Sequence, residues 1–509
     1  MNKHIFKAFL GVSFWTIISR ISGLIRDILL AWSIGASFLA DAFFVAFRLP
    51  NLFRRLTAEG ALVQSFLPKF THHKEKKGNI EALKLASEIQ SIIILFFLVF
   101  IFIAELFMAF FIYGLAPGFS KNPEQFELAV NFSKITILYL PIVSLVAFWG
   151  SIAQSSGKFF PHAISPIILN LCFIVWSLLI LSEIISPKQI AYIVPIAGLI
   201  QIFFVGFWLN KMKMLPKIIF PKFSKEANYV WKKFIPAALG AGVLQINLLV
   251  DTVLASFLQS GSVSYLYYSD RIAQLPLGII AISLSTVLLP DFSKAEANND
   301  INYIKSETIN SIKFVSMFSI PSLIGIYLLS GIIIEALFGR GSLTVVDITS
   351  ISNALKAYAI GIPAFLLIKV LQPSFFSSGD TLTPFKISLI TVLINIILSV
   401  ILMNFYSHVG IALASSISAF FTVFSLALIL IKRKRLSLIF LTNIFKLLIL
   451  AVPFILIMYL AIIFTQSLNI LLSLILLVLS GLVVWVFLLY CFGLISTKSI
   501  LNLIKDNSH

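Results

Sequence analysis

Charge is what this chain has least of. Asp, Glu, Lys and Arg make up 12% of its 509 residues, about half their usual share in a soluble domain. Hydrophobic residues account for 59%, Phe alone for 49 positions, and the mean hydropathy is +1.02. So little polar surface excludes an ordinary water-facing exterior, and lipid is the solvent for most of the chain. Cysteine is nearly absent. Cys172 and Cys491 lie far apart in apolar runs, which excludes a disulfide framework and a cysteine-based metal site. Also missing are a GxxxxGK[ST] phosphate loop, an HExxH or CxxC pair and a hydrolase GxSxG. His72 and His73 sit in a Lys-rich loop and read as solvated. No catalytic constellation stands out and no soluble segment is long enough to bind ATP. An enzyme is therefore not expected, and energy for any transport would have to come from ion gradients or membrane potential.

A membrane-crossing helix needs roughly 20 mostly apolar residues, and that ruler gives about fourteen spans. Their cores are 8–32, 37–63, 88–113, 131–155, 162–183, 189–210, 234–259, 264–292, 309–337, 350–377, 385–404, 408–431, 441–464 and 470–493. Lys3 and Lys7 precede an apolar stretch as in a secretory signal. Arg20, Arg26 and Asp27 interrupt that stretch and no small-residue cleavage site follows, so it reads as a retained first span. Segments 69–84, 156–161, 210–233, 294–308, 378–386 and 432–435, with both termini, carry 24 Lys or Arg; the other seven connections carry Lys121, Lys188 and Arg340. The positive-inside rule then puts both termini in the cytoplasm. The net charge of +17 reports this orientation and contact with anionic lipid, not nucleic acid.

The chain repeats itself at an offset of about 222 residues. QSSGKFFP at 154–161 matches FSSGDTLTP at 376–384, setting Gly157 against Gly379 and Pro161 against Pro384. Lys134 and Pro141 match Lys356 and Pro363; Arg48 matches Arg271; the FLPKF ending at Phe70 matches the LLPDF ending at Phe292. Six spans separate equivalent points, so the halves share one orientation. This is a parallel-repeat transporter pattern, with a central site between lobes. Common ancestry without transport is the bland alternative.

Lys outnumbers Arg 29 to 9, yet six of the nine arginines, Arg20, Arg26, Arg48, Arg54, Arg55 and Arg271, lie within spans 1, 2 and 8. A charge at bilayer centre costs at least about 2.5–3.5 kcal/mol, so the cluster should face a wet cavity or carry paired charges. The planar guanidinium fork binds phosphate oxygens bidentately and resists deprotonation, which makes a pyrophosphate its natural match. Asp41, Arg48 and Arg55 are seven apart, a drift of about 20° per step, so they share a stripe with Glu59 one turn further on. Pro50 within the stripe is expected to kink the helix. Arg20 and Arg26 stand about 120° apart on an ideal helix. Arg54 and Arg55 have a second reading as snorkelling cations, and Arg20, Arg26 and Arg271 as structural partners of Asp27, Asp41 or Asp270. Lys134, Lys313, Lys356, Lys369 and Lys446 read as interfacial. Asp251, an acid well inside span 7, is either protonated, paired with Arg271 or a cation ligand.

SRISGLIRDILLAWSIGASFLADAFFVAFRLPNLFRRLTAEGALVQSFLPKF at 19–70 resembles the opening signature of the MurJ (MviN) lipid II flippases of the multidrug/oligosaccharidyl-lipid/polysaccharide exporter superfamily. GSVSYLYYSDRIAQLPLGIIAISLSTVLLPDFSK at 261–294 continues the resemblance, which covers essentially the whole chain and weakens in spans 13 and 14. Arg20, Arg26, Asp41, Arg54, Arg55, Glu59, Asp270 and Arg271 stand in family positions. The resemblance implies translocation of an undecaprenyl-pyrophosphate-linked peptidoglycan precursor, lipid II, from the inner to the outer leaflet of a bacterial cytoplasmic membrane. It implies that Arg20, Arg26 and Arg271 line the cavity, and that the last two helices form a groove for the polyprenyl tail. Some members bind Na⁺ through an acid matching Asp251 and an Asn matching Asn395. Here Ser399 and Ser415 replace the second acid and the Thr, which weakens the case for a hard-cation site.

The expectation is an all-α polytopic membrane protein of about fourteen helices, with two pseudo-symmetric six-helix lobes plus two C-terminal helices. The lobes are 1–225 (spans 1–6) and 226–435 (spans 7–12), with spans 13 and 14 in 436–509. The substrate-binding set is Arg20, Arg26, Arg271, Arg54, Arg55, Asp41, Arg48, Glu59 and Asp270. No cofactor is expected, and Na⁺ at Asp251 and Asn395 is the one candidate ion. Lipid II and membrane lipids are the expected partners, and the state a monomer. Export of another polyprenyl-pyrophosphate-linked oligosaccharide, or of drugs, is the alternative.

Overall fold

A computed structural model describes residues 3–57, 61–243 and 245–494, with side chains 3–13, 55–57, 61, 64, 239–243 and 279–287 outside the description. Helices are the only regular elements among the described residues, as a lipid solvent requires of a chain whose backbone must satisfy itself. Nine helical stretches among them are long and apolar enough to cross a membrane. The helices that carry the arginine cluster are not among the nine.

The described residues form two compact units. The first runs to Ser264 and includes Gly341–Leu343. It holds α1 (Lys3–Ile34), α2 (Phe38–Thr57), α3 (Ala61–Leu106), α4 (Met108–Leu115), α5 (Pro123–Ile137), α6 (Tyr139–Ser155), α7 (Phe160–Leu181), α8 (Ile193–Lys211), α9 (Lys225–Val243) and α10 (Ile246–Ser256). Within it α1 packs on α7 and α2 on α5. Phe43, Phe66, Phe70, Phe148 and Phe173 are fully enclosed, with the Phe66 and Phe148 rings 4.5 Å apart.

The second unit comprises Tyr265–Arg340 and the chain from Thr344. It holds most of α11 (Ser262–Ala297), then α12 (Ile301–Phe338), α13 (Val345–Phe376), α14 (Leu382–Lys432), α15 (Ile439–Thr465) and α16 (Ile470–Cys491). Phe292, Ile312, Ile362 and Phe375 centre one core; Ile324, Leu450, Phe454 and Trp485 centre another, joining α15 and α16 to α12.

Helix breaks explain where the expected spans differ from the observed helices. α14 is 51 residues long, but Ser407 (φ 52°, ψ −135°) breaks it where spans 385–404 and 408–431 meet. The single span expected at 234–259 is two helices, α9 and α10, in a stretch weakened by Pro236, Gly240 and Gly242. The span expected at 131–155 is also divided, at Leu138, which places Pro141 in the first turn of α6, where its missing N–H costs nothing. Its repeat partner Pro363 sits inside an unbroken α13.

The repeat itself is visible in the backbone. Gly157 (φ 71°) and Gly379 (φ 74°) close α6 and α13 in the left-handed conformation that glycine adopts freely. The Gly157 and Lys158 amides donate to the Gln154 and Ala153 carbonyls; the Gly379 and Asp380 amides donate to those of Phe376 and Phe375. These are two copies of one Schellman cap. After the second copy, Thr383 donates to Asp380 from its amide (2.9 Å) and hydroxyl (2.7 Å), and Arg433 pairs with it at 2.7 Å. Those bonds, Thr383's first and Arg433's after, hold the Asp380 carboxyl at a pKa of about 2.

Two of the prolines inside helices leave carbonyls that neighbouring helices satisfy. α2 continues through Pro50, which cannot donate to the Ala46 carbonyl four residues back; the Thr136 hydroxyl on α5 donates to it instead, at 3.0 Å. Pro321 in α12 likewise frees the Met317 carbonyl, which accepts from Trp485 Nε1 on α16 at 2.7 Å.

Candidate functional site

The first unit buries a guanidinium in α1. Arg26 is 9% exposed and Asp27 is 3% exposed. Arg26 donates to Asp27 Oδ1 from Nε (2.9 Å) and Nη2 (2.7 Å), and from Nη1 to Asn170 Oδ1 on α7 at 3.0 Å. The Asn170 amide reaches back to the Ser19 carbonyl and Ser22 hydroxyl of α1, both at 3.0 Å. The Phe173 ring centroid lies 5.8 Å from Arg26 Cζ, within cation–π range. A carboxylate, an amide and an aromatic ring thus set the plane of the fork before any ligand arrives.

Asn170 escaped the sequence reading. The available signal was an amide in the middle of an otherwise apolar span, where polar groups are expensive.

Arg20 is exposed on the same helix where Arg26 is buried, so the two occupy different environments, as their angular separation requires. The i, i+7 relation of Arg20 to Asp27 does not become their contact: Asp27 takes Arg26 beside it.

The stripe on α2 reaches one stretch of chain. Arg48 Nε donates to Thr252 Oγ1 on α10 at 2.9 Å. Asp41, 1% exposed, accepts the Gly261 amide on Oδ2 at 2.7 Å. Its Oδ1 accepts the Ser264 amide at 2.8 Å and the Ser264 hydroxyl at 2.6 Å. Asp41 therefore holds the turn into α11, its two oxygens both engaged by that turn. The carboxylate meets the amides of the first turn, where a helix favours negative charge. Arg54 is half-buried. The Arg55 side chain and all of Glu59 lie outside the described residues. Asp251, next to Thr252, is buried at 8% exposure.

In the second unit Arg271 lies half-buried on α11, its Cζ 4.7 Å from the Tyr267 ring centroid and its Nη2 donating to the Tyr267 hydroxyl at 3.2 Å. Asp270 accepts from the Gln274 amide one turn on. Tyr265 donates to Asp347 at 2.7 Å, and the same carboxylate accepts the Thr344 amide (2.8 Å) and hydroxyl (2.7 Å). Asn395 is fully buried and donates to Ser415 Oγ at 3.1 Å. The same amide lies 3.5 Å from Ser418 Oγ, and Ser399, one turn along α14, is likewise fully buried. No group of three or more His, Cys, Asp or Glu residues occurs among the described residues in an arrangement that holds a metal.

Known proteins match this chain along most of its length. The family described as Lipid II flippase MurJ matches residues 30–480. A probable lipid II flippase MurJ of Rickettsia prowazekii is 38% identical over 419 residues, covering 82% of each chain. One of Vibrio cholerae is 36% identical, also covering 82% of each. A solved structure described as lipid II flippase MurJ in an inward closed conformation superposes with a TM-score of 0.80 at 28% identity, over 95% of this chain and 98% of that one. An inward-facing multidrug resistance MATE family transporter, at 13% identity and a TM-score of 0.67 over 82% of this chain and 96% of its own, shares the fold alone. With a family match over nearly the whole chain and relatives well above 30% identity, the chain belongs to the MurJ lipid II flippase family.

Proposed function

We propose that this protein is a multi-pass flippase of the cytoplasmic membrane that carries lipid II from the inner to the outer leaflet by alternating access. The observation that carries the reading is the Arg26 fork, buried in a membrane helix and oriented by Asp27 and Asn170. A lysine would supply the charge at that place; only arginine supplies a planar pair of donors suited to a pyrophosphate. The relatives named as probable lipid II flippases supply the rest of the substrate. Both termini in the cytoplasm, a monomeric state, lobes at 1–225 and 226–435, and a tail groove in 436–509 complete the proposal.

Expression in a bacterium depleted of its own lipid II flippase tests it. Growth should be restored. Normal insertion without rescue, together with transport of a different polyprenyl-pyrophosphate oligosaccharide in proteoliposomes, would replace lipid II with the alternative cargo.

Transport should also survive replacement of Na⁺ by K⁺ at fixed membrane potential, because Ser399 and Ser415 leave neutral oxygens where a hard cation prefers charged ones. A large loss in K⁺ that Asp251→Asn abolishes would instead make Asp251 an ion ligand.

Asn170→Ala should weaken the use of substrate more than the maximal rate. A hydrogen bond to a charged group is worth about 1.5–3 kcal/mol, so a rise in half-saturating lipid of roughly tenfold or more is expected. Initial rates measured against lipid II fraction separate the two effects, and an unchanged half-saturation would remove Asn170 from the positioning of Arg26.

A further inference from the structure

Two glycines that take no part in the anion site make the same unusual contact at equivalent points of the repeat. Gly118 follows α4, in the turn Pro117–Lys121, and Gly341 follows α12. They are 223 residues apart, as are Ser33 at the end of α1 and Ser256 at the end of α10. The Gly118 amide donates to Ser256 Oγ at 3.0 Å. Beside Gly341, the Ser342 amide donates to the Trp32 carbonyl at 2.9 Å, and its hydroxyl reaches the Ser33 carbonyl at 3.4 Å. A Cβ on Gly118 would overlap the Ser256 carbonyl, and one on Gly341 would overlap that of Trp32. All these residues lie within the first compact unit, which takes in Gly341–Leu343 although the chain on either side of that triplet belongs to the second.

The connectivity makes the contacts reciprocal. A turn from the first half of the repeat grips the helix ending at Ser256, in the second half. A turn from the second half grips the helix ending at Ile34, in the first. Both turns lie in lysine-poor connections, marked by Lys121 and Arg340, hence on the extracytoplasmic side by the positive-inside rule. The acceptors Trp32 and Ser33 offer carbonyls from the last turn of α1, which no further residue of that helix satisfies. Each link is a hydrogen bond between neutral groups, weak enough to break in every cycle. We infer that Gly118 and Gly341 are paired gate residues of the transport cycle, clasping the extracytoplasmic side shut while the substrate site is open to the cytoplasm. Glycine is required because the two backbones touch.

Ser33→Cys, in a background of Cys172→Ser and Cys491→Ser, provides a probe beneath the Gly341 turn that reads conformation without lipid substrate. Its outcome is therefore separable from that of the flippase reading. In right-side-out membranes an impermeant maleimide should label the parent slowly. Gly118→Ala, on the other arm, should raise the rate about tenfold by shifting the closed population. Gly118 has no positive φ, so the substitution acts through the overlap alone. A rate within about twofold of the parent would overturn the paired gate, since each arm would then be only local packing. In a second arm, Ser33→Cys with Ser342→Cys is oxidised. Cross-linking should arrest transport and reductant should restore it. Failure to cross-link, or full transport by the cross-linked protein, would equally sink the proposal.

Discussion

Arg26→Ala and Arg271→Ala should each abolish rescue of a flippase-depleted strain while the protein still reaches the membrane. The two differ in how they fail. Arg26 is bonded twice to a buried carboxylate, so its removal breaks a buried ion pair at a typical cost of about 3–5 kcal/mol. Arg26→Ala should therefore lower stability as well as function. Arg271 is half-buried against the Tyr267 ring, and its loss should leave the protein level closer to normal. The lysine variants separate charge from shape: Arg26→Lys keeps a cation for Asp27 and Arg271→Lys keeps one near Tyr267, but neither keeps the fork. Impaired rescue with a normal amount of protein is the expected result for both. Full rescue by the lysine variants would leave only a point-charge role, and full rescue by the alanine variants would take these residues out of the mechanism.

Asp41→Asn should come close to Asp41→Ala in its damage, which distinguishes a carboxylate held by donors from an ordinary buried polar contact. The two oxygens of Asp41 receive two backbone amides and a hydroxyl. Asparagine has one oxygen, so whichever way it turns, its NH₂ points at an amide that is itself a donor. Two charge-assisted bonds lost or inverted correspond to about 2–4 kcal/mol after partial relaxation. Ser264→Ala removes only the hydroxyl and should cost about 1 kcal/mol. Thermal unfolding in detergent should rank Asp41→Asn well below Ser264→Ala. The reverse order would mean that the Ser264 hydroxyl, and not the pair of amides, is what Asp41 holds.

The stripe shows how far a pattern reaches. Residues seven apart on a helix share a face, and Asp41 and Arg48 do reach one stretch of chain, between Thr252 and Ser264. Spacing says nothing about what stands opposite, so the role of Asp41 as an acceptor for backbone amides was not legible. Asn170 was equally hidden, because its importance lies in a contact with Arg26 across 144 positions. Proline gave an incomplete signal. Pro50 marks a missing donor, but only the neighbouring helix could reveal that Thr136 supplies it and lets α2 continue.

Composition alone determined the solvent, since a chain with this little charge has no means of covering itself for water. Hydropathy and periodicity located most of the helices, and the repeat set Gly157 against Gly379, which share one backbone geometry because that geometry follows from local residue type. The concentration of arginine in three spans likewise pointed to an anion. The tertiary structure decided which arginine is buried, which acid it pairs with, where long helices break, and which glycines let two backbones touch. Those outcomes depend on distances between residues remote in sequence, and close packing sets them only after the helices have met.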